Sequence, residues 1–91
     1  MISREQLKQK VEYWAKEINV KHNSIFIRTD MKRKLGSCSS RGRLSFSNKI
    51  LDMGENIIKE TIIHELLHLK YPNHGKMFKM MLRMYLGETR E

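Results

Sequence analysis

The sequence predicts an α+β domain. Three observations carry that reading: an amphipathic stripe near the N-terminus, a short alternating stretch in the middle, and two helical segments toward the end. The expected order is an N-terminal helix, a small mostly antiparallel sheet, a central helix and a C-terminal helix. The 91 residues supply one compact domain, taken as 1–91. A chain this short buries only roughly two-thirds of its unfolded surface, so its core is thin.

The first helix opens on a capping-box pattern, Ser3 with Gln6 three residues later. Leu7, Val11, Trp14 and Ile18 then recur at spacings of four, three and four, giving one apolar stripe. Lys21-His22-Asn23 breaks the pattern, and His22 reads as a surface residue there. Ile25-Phe26-Ile27 has strand preference. Leu35–Ser40 and Arg43–Ser47 predict a hairpin across Arg41-Gly42, with Leu44 and Phe46 on one face and Ser45 and Ser47 on the other. From Glu55 to Lys70 the isoleucines and leucines cover most of a helix circumference, which marks a centrally buried helix. Pro72 ends it, because proline lacks the N–H that a helix needs. A last helix is expected from Asn73, an N-cap residue, to Leu86, with Gly87 as its stop and Phe78, Met81, Leu82 and Tyr85 on its apolar side.

Composition excludes several classes. One cysteine, Cys38, allows no internal disulfide. No apolar run reaches the length of a membrane span, and the N-terminus lacks signal-peptide character. A cytoplasmic location is therefore expected. The net charge is +8, with Arg28, Lys32, Arg33, Lys34, Arg41, Arg43 and Lys49 set against Asp30 alone. Residues 28–49 would attract acidic peptides or nucleic acid, although the same charges also serve as a solvated face. No recognition motif for nucleic acid accompanies them.

The chemistry lies in His64-Glu65-Leu66-Leu67-His68. Histidines four apart share one face of a helix, so both imidazoles can reach one zinc at about 2.0–2.1 Å. Glu65 then points beside the metal, where it can act as a base toward water. A catalytic zinc normally takes three protein ligands, and His74 is the best third. A continuing helix would carry His74 about 9 Å past His68, so the chain must turn between them. Tyr71-Pro72-Asn73 is such a turn. Glu88 and Cys38 are the alternative third ligands.

These residues resemble the YgjP-like metallopeptidase family, a minimal relative of the zincin peptidases that include SprT-like and WLM proteins. The likeness rests on Leu35-Gly36-Ser37-Cys38-Ser39-Ser40 and on the run from Ile63 through His64, Glu65, His68, Tyr71, Pro72, Asn73 and His74 to Phe78, and it spans about residues 28 to 85. Leu35 stands where the family often has tryptophan, and Lys79 replaces an aromatic residue. Tyr71 stands where metzincins need glycine. The resemblance implies a zincin-like fold, one zinc per chain on His64, His68 and His74, and Glu65 as the catalytic base. It implies hydrolysis of peptide or protein substrates. Tyr71 and Tyr85 are candidate oxyanion helpers, and a substrate strand is expected to pair near Arg43–Ser47. The competing expectation is a zinc-stabilised binding module for nucleic acid or a partner protein, without catalysis.

Overall fold

A computed structural model describes residues 1–87. Helix α1 spans Arg4–Ile18. The Ser3 hydroxyl accepts from the Gln6 amide at 3.0 Å, and the Gln6 side chain accepts from the Ser3 amide at 2.8 Å. Two N–H groups that the helix itself cannot satisfy are thus paired. Leu7, Val11, Ala15 and Ile18 form the buried stripe, and Asn19 ends the helix in the left-handed region at φ 64°. Trp14 is half-buried and meets Tyr85 edge-on, with ring centroids 6.4 Å apart.

Three strands follow: β1 (Ser24–Arg28), β2 (Gly36–Cys38) and β3 (Arg43–Ser47). The sheet order is β1-β3-β2. The hairpin forms as expected, with Gly36 opposite Phe46 and Cys38 opposite Leu44. Its turn closes through the Gly42 amide on the Ser39 carbonyl at 3.0 Å, with Gly42 at φ 84°. The sheet differs from expectation in one respect. It is mixed, because β1 pairs with β3 in parallel, from Ser24–Arg43 to Arg28–Ser47. The most buried strand takes the centre: Leu44 and Phe46 are fully covered, and Ser47 on the opposite face is buried as well. A central β3 has both edges paired, so it cannot accept a substrate strand as expected of Arg43–Ser47. Among the described residues, the open edges belong to β1 and β2.

A 3₁₀ turn over Asn48–Asp52 leads to helix α2 (Glu55–Leu67), which packs against α1, β2 and the last helix. Ile58, Ile62, Ile63, Leu66 and Leu67 are buried. The regular helix stops three residues short of Lys70, and the next turn tightens to three-residue spacing: the Leu69 amide donates to Leu66 O and the Lys70 amide to Leu67 O, both at 3.0 Å. Helix α3 spans Lys76–Leu86, capped by Gly75 and ended by Gly87 at φ 73°. It starts later than the predicted Asn73 cap, because Asn73–Gly75 remain in the connecting loop. Among the described residues, no helix is long and apolar enough to cross a membrane.

Two phenylalanines of the sheet have opposite surroundings. Phe46 is fully buried, whereas Phe26 on the edge strand is 49% exposed. Phe46→Ala is expected to cost about 3–5 kcal/mol, and Phe26→Ala less than about 1 kcal/mol. Urea denaturation midpoints of the two variants check this.

Candidate metal centre

His64 lies in the last turn of α2, and His68 is its C-cap residue, still helical at φ −64° and ψ −17°. Four-residue spacing therefore brings their rings together edge to face, and the Nε2 atoms stand 3.3 Å apart. The chain then reverses. The Tyr71 amide donates to Leu67 O at 2.8 Å, and Pro72 prevents further helix. The returning loop brings His74 Nε2 to 2.9 Å from His68 Nε2. One nitrogen from each of the three rings lies within 4.8 Å of the other two. Three imidazoles at zinc distance in tetrahedral geometry would have nitrogens about 3.3 Å apart. The donor set thus suits a zinc ion. Glu88 lies outside the described residues.

Phe78 is the floor of this cluster. It is buried, and its ring centroid lies 5.1 Å from that of His64 and 4.8 Å from those of His68 and His74. The three imidazoles therefore have an apolar base on α3 and an open side toward a cleft. Burial, and then the charges of His68 and His74, hold His64 below the usual imidazole range. A histidine with a lowered pKa is neutral at neutral pH, the form that ligates metal.

The cleft has a volume of about 620 Å³. Its walls are His64, Glu65, His68, Pro72 and His74 on one side and residues 34 and 36–40 on the other. Glu65 shares this cleft with the histidines, and its carboxyl is raised by burial against the opposing pull of Lys34 and His74. Cys38 lines the same wall, but burial, followed by the charge of Glu65, pushes its thiol up to about 11. Among the described residues, the ligand atoms that cluster are those of His64, His68 and His74, and Cys38 is a wall of the cleft outside that cluster. Tyr71 and Tyr85 do not line the cleft; Tyr85 is instead committed to Trp14. His22 is half-buried, not a surface residue, and pairs with Glu12 at 3.7 Å away from the cluster.

Gly36 explains how β2 and Glu65 come together. A Cβ at this position would lie 3.0 Å from Thr61 Cγ2, 3.1 Å from Glu65 Cγ and 3.3 Å from the Phe46 ring. The bare backbone of β2 thus rests directly on α2 at the carboxylate-bearing residue. The sequence alone did not assign roles to Gly36, Lys34 or Phe78 at the site. A glycine inside a strand pattern was the available signal for close approach. The sequence places Phe78 on the apolar side of the last helix and at the end of the run that carries the family resemblance, with no contact to the histidines assigned.

A family model described as "YgjP-like, metallopeptidase domain" matches residues 2–91. No curated protein sequence matches the chain. Among solved structures, the metallopeptidase zymogen of Methanocaldococcus jannaschii jannalysin superposes with a TM-score of 0.74 at 28% identity, over 87% of this chain and 80% of that one. The metallopeptidase zymogen of Pyrococcus abyssi abylysin has the same TM-score at 21% identity, over 85% and 76% of the two chains, which is a likeness of fold.

Two outcomes follow from the geometry. Gly36→Ala must push Thr61, Glu65 or both aside and is expected to destabilise the domain by about 1–3 kcal/mol. Adding Thr61→Ser, which removes the Cγ2 methyl, should restore part of that loss in thermal unfolding. Phe78→Ala removes the floor under all three rings. It should weaken zinc binding by about 10–100-fold in a competition titration with a chromogenic chelator.

Proposed function

The chain belongs to the YgjP-like family of metallopeptidase domains, and from that premise we propose that it hydrolyses peptide bonds with one zinc ion held by His64, His68 and His74. The observation that carries this reading is the convergence of three imidazole nitrogens beside Glu65 in one cleft. A zinc ion there would lower the pKa of a water toward about 7 and polarise the scissile carbonyl.

Each residue of the chain then has a task. His64 and His68 project from one face of α2 and, with His74 from the returning loop, would hold the ion. Glu65 faces the cleft as the general base: it takes a proton from the attacking water and delivers it to the leaving amine. Phe78 shields the inner side of the rings from solvent. The β2 strand lines the cleft and, among the described residues, has an unpaired outer edge, so an extended peptide can add to it through main-chain hydrogen bonds. This moves strand addition from Arg43–Ser47 to Gly36–Cys38. We take residues 1–91 as one catalytic domain.

The rival reading is a zinc-stabilised module that binds without catalysis. A structural zinc is normally closed by a fourth residue ligand. The described cluster offers three histidines and an open side instead.

Glu65→Gln separates the two readings. It is expected to keep about one zinc per chain by elemental analysis, and to lower peptide turnover by roughly 10²–10⁴-fold. Unchanged function in this variant would leave the binding module. His74→Ala is expected to lose stoichiometric zinc, and with it the rise in thermal stability that zinc gives the wild type. Equal metal content in His74→Ala and wild type would remove His74 from the site.

A further inference from the structure

Seven basic residues lie between Arg28 and Lys49, and they do not stand in equivalent places. Arg28 is engaged with Asp30 through two hydrogen bonds of 2.9 and 2.8 Å. Lys34 alone among the seven is a wall of the cleft that holds the three histidines and Glu65. It precedes β2 by two residues and is exposed. Among the described residues it forms no ion pair. The remaining wall offers little to a bulky apolar side chain, being Gly36, Ser37, Cys38, Ser39 and Ser40. Among the described residues, Glu65 is the one carboxylate lining the cleft. Selectivity from apolar burial is therefore weak here, and the strongest discriminating group is a lysine ammonium.

We propose that Lys34 makes the cleft selective for peptides that carry a carboxylate toward their carboxyl end. The direction follows from β2, which runs from Gly36 to Cys38. A peptide added to its open edge in the antiparallel sense runs the other way, so its carboxyl-terminal part passes Gly36 and reaches Lys34. The ammonium then donates charge-assisted hydrogen bonds to a carboxylate. That carboxylate belongs either to an acidic side chain or to the end of the peptide itself, and one chemistry serves both. The proposal rests on reading the cleft as a peptide site, and binding tests it apart from turnover.

The experiment uses the zinc-loaded wild type and Lys34→Met with one dye-labelled peptide in four forms. These carry Asp or Asn in the carboxyl-terminal half, each with a free or an amidated terminus. Fluorescence anisotropy at low salt gives binding, and mass spectrometry gives cleavage. The wild type is expected to bind carboxylate forms about three- to tenfold more tightly than the amidated Asn form. Lys34→Met should lose that preference while keeping its zinc and thermal stability, and Lys34→Arg should retain it. Preference for the amidated Asp peptide identifies a side-chain carboxylate, and preference for the free Asn peptide identifies the terminus. Equal binding of all four forms to the wild type, or a preference that survives in Lys34→Met, overturns the proposal. Peptides bound with the Lys34-dependent preference yet left intact would support it while removing the peptidase reading. Cleavage indifferent to both carboxylates would remove Lys34 as the selecting group while leaving the peptidase reading standing.

Discussion

Helix α2 has to satisfy two environments at once. Ile58, Ile62, Ile63, Leu66 and Leu67 bury one side of it among the other elements. His64, Glu65 and His68 occupy the side that faces the cleft. A helix rotated by one residue would carry a carboxylate and two imidazoles into an apolar interior, where unpaired polar groups are costly. The hydrophobic packing of the domain therefore also fixes the angle at which the histidine pair points.

The remaining pieces of the site are consequences of where neighbours can approach that helix. On one side β2 comes in close, because Gly36 brings no side chain to the Thr61 and Glu65 contact. On the other, the loop after Leu67 turns back and places His74 over His68. Helix α3 then returns beneath the rings with Phe78. Stability and chemistry are carried by the same few contacts. In so small a domain the contacts that bury α2 also shape the walls of the cleft.

Charge adds a second layer. The basic surplus looks like one broad patch along the chain, but folding distributes it. Arg28 is neutralised by Asp30, which holds the Asp30 carboxyl below its usual range. Lys34 is delivered to the cleft by its place ahead of β2. The functional meaning of a lysine here depends on the strand that follows it and not on the local density of positive charge.

Periodic features were legible without coordinates. The Leu7–Ile18 stripe, the Ser3 cap, the hairpin across Gly42 and the paired histidines on α2 all depend on spacings that local backbone geometry converts directly into shared faces. Even the return of His74 was foreseeable, since a straight helix would have carried it out of reach. Tertiary structure alone decided the parallel pairing of β1 with β3, because alternation of side chains carries no information on strand direction. The same holds for the central place of β3, the half-burial of His22, and the convergence of Gly36, Lys34 and Phe78 on the histidine cluster. Those relations join residues far apart in the chain, and they exist only once burial has chosen which surfaces meet.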